Sequence, residues 1–129
     1  MLFRSVGESC HTFGAAVDHH LRERPSQHVQ GCFSTTLDQL VQRRVLPVPT
    51  HIKIDVDGLE HKVLDGGRNT LADRRVKSVL VEINTNLSEH QRVIEDMLAL
   101  GFSYSADQVY SAMRREGPFK GMGNHVFRR

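Results

Sequence analysis

The chain has 129 residues, 39% of them hydrophobic and 25% charged, which predicts one soluble domain and excludes a mainly disordered chain. Seventeen Lys and Arg residues against fifteen Asp and Glu give a net charge of +2 with the signs interleaved, so charge does not predict nucleic-acid binding. Apolar runs are too short for a signal peptide or a membrane span, and Cys10 and Cys32 are too few for a disulfide framework. We therefore expect a cytoplasmic protein with reduced thiols.

Basic residues are densest at positions 74–77, 114–115 and 128–129. Short runs of like charge usually form a solvated surface, so we expect these arginines and lysines to face water.

Residues 1–35 have the weakest pattern, because their apolar positions follow neither a helical nor a strand period for long. Ala15, Ala16 and Leu21 indicate one short helix before Pro25. From Thr36 the pattern is clearer, since Thr36–Gln39 has the form of a capping box and the following apolar residues recur at helical spacing. A helix is predicted to begin there and to end before Pro47.

The central segment has the pattern of a strand, a turn and a helix. Residues His51–Val56 alternate polar and apolar, which predicts a strand that Asp57-Gly58 ends. Helical spacing over Leu59–Leu64 ends at Gly66-Gly67, and residues 70–72 can add one further turn. The apolar run in Val76–Ile83 predicts a second strand, of the kind buried on both faces in a parallel sheet.

A second capping box, Ser88–Gln91, predicts a helix that ends at Gly101. Residues Phe102–Tyr110 are predicted to form a strand broken at Ala106-Asp107, and 124–128 a short last strand. Strands separated by helices favour an α/β fold with a mainly parallel sheet, closed by an antiparallel strand at the C-terminal end.

Three carboxylates, Asp55, Asp57 and Glu60, follow the first predicted strand within six residues. The carboxyl end of such a strand opens onto the crevice where α/β sheets bind ligands. The carboxylates repel one another unless a positive group shares the site: a cation, a sulfonium, or Lys53 and Lys62. Alternatively, Asp57 caps the next helix and Glu60 stabilises its positive end.

The Asp-x-Asp-Gly sequence at position 55 is also found in haloacid-dehalogenase-type phosphatases. The hydroxyl residue expected after the glycine is Leu59 here, and no Asp-Asp pair follows to hold magnesium. A phosphatase is therefore the third hypothesis, and no metal site is predicted.

Three blocks occur in order along the chain: Thr36–Leu40, Ile52–Gly67 and Val79–Ile83. In this order and spacing the chain resembles the FkbM family of methyltransferases, most strongly over residues 36–84. The resemblance implies a Rossmann-like fold of the class I methyltransferase type. It also implies S-adenosylmethionine as cofactor and O-methylation of a small hydroxylated acceptor.

By that resemblance, Asp55 lies beside the methyl donor, and Asp55 and Asp57 are the cofactor-binding residues. Asp55, Glu82 and His61 are the candidate catalytic residues. A carboxylate near a sulfonium stabilises positive charge, and another can take the proton of the acceptor hydroxyl.

The sequence lacks the glycine-rich turn and the acidic strand end with which this class holds its cofactor. We therefore expect one domain over 1–129 that is the C-terminal part of a methyltransferase domain, with 36–129 as the family-like core. An exposed sheet edge would favour self-association. The alternative hypothesis is a non-catalytic interaction module that keeps the scaffold.

Overall fold

The computed structural model describes residues 2–4, 12–18, 20–23, 25 and 28–129. Its helices and strands follow in the order β1 (Leu2–Arg4), β2 (Thr12–Phe13), β3 (His28–Gln30), α1 (Leu37–Gln42), β4 (His51–Ile54), α2 (Glu60–Asp65), α3 (Arg68–Ala72), β5 (Ser78–Asn84), α4 (Ser88–Ala99), α5 (Ala106–Ala112) and β6 (Met122–Arg128). The strands form two three-stranded sheets, with orders β2-β1-β3 and β4-β5-β6.

The second sheet is mixed. Strand β4 runs parallel to β5, with Ile54 opposite Val81, and β6 runs antiparallel to β5. The α/β class, the parallel pair with helices between its strands, and the antiparallel last strand are confirmed. The sheet is not mainly parallel, since only one of its two strand pairs is parallel. It is compatible with part of the larger sheet that the resemblance implies.

Strand β5 lies at the centre of the core, as its apolar run predicts. Val79, Val81 and Ile83 are fully buried, and α4 packs Val93 and Met97 into the same cluster. Burial of each such side chain stabilises the fold by about 1.5–3 kcal/mol. The ends of β4 and β5 therefore extend from a well-packed core.

Helix α1 begins where the first capping box predicts it, since the Gln39 N–H donates to Thr36 Oγ1 at 3.1 Å. Its start packs against Gly66 and Gly67. A Cβ at Gly66 would lie 3.1 Å from Thr36 Cγ2, and one at Gly67 would lie 3.2 Å from Leu37 Cδ2. The two glycines that end α2 therefore allow α1 to approach closely.

Helix α4 is present, but the second capping box is wrong. The N-cap is Leu87, which has no side-chain capping bond, and the Ser88 hydroxyl donates to Glu89 instead. Gly101 follows the helix with φ +84°, a conformation that favours glycine.

Two other predictions of local structure are wrong. Residues 15–21 form no helix in the described residues, because Asp18 Oδ1 accepts from the N–H groups of His20 and Arg22 and holds a turn. No continuous strand forms over Phe102–Tyr110: Ser103 makes an isolated antiparallel bridge with Arg128, and the second half is the helix α5, whose N-cap is the Ser105 side chain. The Ser105 hydroxyl before Asp107 is a helix-start signal that strand-like spacing obscured.

Arg129 is only partly exposed, whereas its place in a basic stretch predicted a solvated side chain. Its guanidinium donates to the carbonyl groups of Leu71, Asp73, Val76 and Leu100. It also lies over the Phe102 ring at 4.1 Å. Arg129 thus satisfies carbonyl groups at the C-terminal ends of α3 and α4.

Candidate functional site

Asp55 and Glu82 come together at the carboxyl edge of the parallel pair. Each directly follows one member of the Ile54–Val81 register pair, so the two carboxylates extend from neighbouring strands. The Asp55 side chain is 44% exposed and pairs with Lys53 Nζ at 3.0 Å, whereas Glu82 is only 8% exposed. The site therefore combines an accessible carboxylate with a nearly buried one.

An open cleft of about 740 Å³ lies beside Asp55. It is bounded by residues 33–37 on one side and by the β4–α2 turn and α2 on the other. Asp55, Asp57 and Lys62 supply polar groups, and Phe33, Leu59 and Val63 supply much of the apolar lining. Such a mostly apolar cleft with a few polar groups is the usual form of a small-molecule site.

Glu60 shapes the turn that carries the two aspartates. It is 1% exposed, Oε1 accepts from the Val56 N–H at 3.0 Å, and Oε2 accepts from the Gly58 N–H at 3.0 Å. Asp57 has a left-handed φ of 55° and does not cap α2, whose N-cap, Leu59, makes no side-chain capping bond. Glu60 therefore organises the turn, whereas Asp57 lines the cleft.

His90 links this turn to the one after β5. The Asn84 N–H donates to His90 Nδ1 at 2.9 Å, so that nitrogen carries no proton and the ring proton is on Nε2. Nε2 lies 3.2 Å from Glu60 Oε2 and 3.3 Å from the Gly58 carbonyl oxygen. Burial alone would raise the pKa of Glu60, but hydrogen bonds from His90 and Val56 outweigh it and lower that pKa. No sequence pattern singled out His90.

Glu82 is held by one arginine. Arg114 Nη1 donates to Glu82 Oε1 at 3.0 Å. Burial raises the pKa of Glu82, and the nearby charge of Asp55 adds to this, while Arg114 opposes it; the net direction is upward. A raised pKa makes Glu82 a stronger base than an ordinary exposed glutamate.

His61 is placed away from the cleft. Its ring centre lies 6.1 Å from that of His90, and it is not among the residues that line the cleft beside Asp55. Burial, together with the neighbouring His90, lowers the pKa of His61. The structure does not bring His61 to the two carboxylates, and its catalytic role stays a prediction.

The remaining predictions concern metals, thiols and membranes. Within the described residues, no three His, Cys, Asp or Glu side chains are grouped so that they could hold a metal ion. Cys32 is exposed and free, and Cys10 lies outside the described residues. No helix in the described part of the chain has the length and apolar character that crossing a bilayer requires.

Comparison with known protein families supports the resemblance, and the match covers more of the chain than residues 36–84. A search of curated proteins and a search of solved structures each found no match. The sequence model of the methyltransferase FkbM domain matches residues 7–104, which is well over half of the chain. On this match, and with Asp55 and Glu82 side by side at the edge of the sheet, the chain belongs to the FkbM family of methyltransferases.

Proposed function

We propose that this chain takes part in the transfer of a methyl group from S-adenosylmethionine to a hydroxyl group of a small acceptor. The observation that carries the proposal is the pair formed by Asp55 and Glu82, one lining a cleft and the other nearly buried beside it. The family match supports methyl transfer in general and gives no support to the phosphatase alternative.

The cleft beside Asp55 fits the chemistry of the cofactor. Asp55 and Asp57 would hold its positively charged part, and the apolar side chains of Phe33 and Leu59 would contact the adenine. Lys53 now neutralises Asp55 at 3.0 Å from an exposed position, so a cationic ligand can take its place at low cost. When bound, the cofactor supplies an electrophilic methyl group.

Glu82 is the group in this site best suited to accept the proton of the acceptor hydroxyl. Burial raises its pKa, which brings its basicity closer to neutral pH. Arg114 fixes Oε1, so the orientation of the carboxylate is set before an acceptor binds. Once the proton has moved to Glu82, solvent can take it up and restore the carboxylate, while Arg114 keeps donating to Oε1.

Asp55→Asn tests the cofactor part of the proposal. We expect saturable binding of S-adenosylhomocysteine to the wild-type chain by isothermal titration. The substitution should weaken binding about tenfold, because an amide cannot compensate the positive charge of the ligand. Asp107→Asn, on the exposed start of α5, removes the same charge elsewhere and should leave binding unchanged.

A flat titration with correctly folded wild-type chain would contradict the proposal and favour the non-catalytic module. Equal weakening in Asp55→Asn and Asp107→Asn would also contradict it, since the effect would then come from net charge and not from the cleft. Circular dichroism of each variant checks that the fold is retained.

A further inference from the structure

A second cleft, of about 630 Å³, lies on the β6 side of β5, the strand that carries Glu82. Asp55 follows β4, which lies on the other side of β5. The second cleft is bounded by the turn after β5 and by residues 113–121, which precede β6. Arg114, Arg115 and Lys120 line it together with His20 and Asn86, and among the described residues that line it there is no carboxylate. Three full positive charges therefore converge on one concave surface.

The walls of this cleft are fixed by hydrogen bonds. The Arg114 N–H donates to the Met122 carbonyl at 2.8 Å, and Thr85 donates to the Gly121 carbonyl from both its N–H and its hydroxyl at 2.9 Å. Asn86 Nδ2 donates to the Lys120 carbonyl at 2.9 Å. Gly121, where the two walls meet, has φ +87°, and a Cβ there would lie only 2.6 Å from Asn86 Nδ2, so this position favours glycine.

The cations are held, but their charge is only partly compensated. Arg114 uses one N–H group on Glu82, and Arg115 lies over the Tyr110 ring at 4.0 Å. No ion pair in the described residues takes up the Lys120 ammonium group. Glu82 balances one of the three charges, and like charges that line the same cleft favour an anion between them.

We propose that this cleft binds a phosphate monoester group, and, resting on the function proposed above, that this group belongs to the methyl acceptor. The two uncompensated positive charges match the charge of a phosphate dianion, and guanidinium groups match its oxygens with paired N–H donors. Three cations in a small cleft suit one anionic group and not an extended polyanion.

The position of Arg114 explains how such a group would orient the acceptor. Arg114 donates to Glu82 and is also one of the residues that line the cleft, so the same residue joins the proposed anion site to the proposed base. A hydroxyl on the same small molecule can then reach Glu82 while the phosphate is held. Binding energy from a remote group is thereby used to position the reacting one.

The test measures binding of inorganic phosphate and of glucose 6-phosphate by isothermal titration at constant ionic strength, with glucose as the uncharged comparison. We expect both phosphates to bind saturably and glucose not to bind. Arg115→Gln combined with Lys120→Gln should weaken both phosphates about tenfold or more. Arg114 is left unchanged because it also holds Glu82.

Arg92→Gln combined with Lys77→Gln is the matched control, since both residues are exposed and lie outside the cleft. This control should keep wild-type affinity for phosphate. Absence of saturable binding to both phosphates, or equal weakening in the two double variants, would overturn the proposal. The phosphate assay contains no methyl donor, and the substitutions in this cleft should leave the binding of S-adenosylhomocysteine unchanged. The phosphate titration therefore tests the second cleft alone, and the S-adenosylhomocysteine titration tests the proposed function.

Discussion

Asp38, in the block Thr36–Leu40, has a structural role. Its carboxylate accepts four hydrogen bonds, from the N–H groups of Asn69 and Thr70 and from the side chains of the same two residues. It therefore caps the start of α3 from its own position in α1. The family-like pattern at residues 36–40 thus reflects a contact between helices, and not a catalytic group.

Asp38→Asn should reduce the free energy of unfolding by about 1–2 kcal/mol, because the amide presents donors to the N–H groups that the carboxylate now accepts. Urea denaturation measures the change. Glu95→Gln, on the exposed face of α4, is the control for loss of one carboxylate and should change stability little.

The loss of stability caused by Asp38→Asn should depend on pH. Burial raises the pKa of Asp38, but the hydrogen bonds from Thr70 and Asn69 outweigh it and lower that pKa below 3.8. Its contribution is therefore complete above pH 3.8 and is lost as the pH falls through the lower folded value. The difference in stability between wild type and Asp38→Asn should shrink as the pH falls below that point; a difference that stays constant would show that the charge is not involved.

At the scale of elements, a buried contact between Glu60 and His90 connects the turns that follow β4 and β5. Glu60 holds the first turn, His90 on α4 holds the second through the Asn84 N–H, and the two side chains meet at 3.2 Å. Since Asp55 lies at the start of the first turn and Glu82 two residues before the end of β5, their separation depends on this buried pair. Glu60 and His90 are thus positioning residues for the proposed site.

Glu60→Gln should destabilise the chain by about 2–3 kcal/mol, because one amide nitrogen would face a backbone N–H that the carboxylate now accepts. Hydrogen exchange gives the specific readout. The amides of Val56 and Gly58 should exchange faster, while those of the core strand β5 should change only with global stability.

An unchanged exchange rate at Val56 and Gly58 would contradict the role assigned to Glu60. Glu95→Gln again serves as the control, since it removes an exposed carboxylate from α4 without touching either turn.

At the scale of the whole molecule, the sheet has an open edge at β4. The Ser78 N–H donates to the Thr50 carbonyl, and because bonds alternate along a parallel ladder, the backbone groups of His51 and Lys53 face away from β5. No strand of the described residues pairs with that side of β4. Such an edge is a template for pairing with another chain.

We expect the chain to associate as its concentration rises from micromolar to millimolar, as measured by size-exclusion chromatography with light scattering. Lys53→Pro removes the outward N–H group at a position where proline fits an edge strand, and should shift the equilibrium to monomer. Lys53→Ala keeps the N–H group and should associate at least as strongly as wild type. A monomer at every concentration, or equal behaviour of the two variants, would contradict pairing through β4.

Much of the fold followed from the sequence alone. The alternation over His51–Val56, the apolar run in β5 and the glycines after α2 and α4 predicted most elements in the correct order. Two local predictions failed because a side chain makes a different hydrogen bond from the one that its sequence pattern predicts. Ser88 does not cap α4, and Ser105 caps a helix where the apolar spacing predicted a strand. Periodicity reports which face of an element is apolar, and it says little about how each end is capped.

For the site, the sequence determined that Asp55 directly follows one strand and that Glu82 lies near the end of another, because strand ends are marked locally by the change of period. Only the tertiary structure decided what surrounds them. His90 reaches Glu60 across 30 residues, Arg114 reaches Glu82 across 32, and Arg129 reaches carbonyl groups up to 58 residues away. The spacing of residues along the sequence does not predict such partners. They depend on how the helices pack on the sheet, and on the requirement that buried polar groups be hydrogen-bonded.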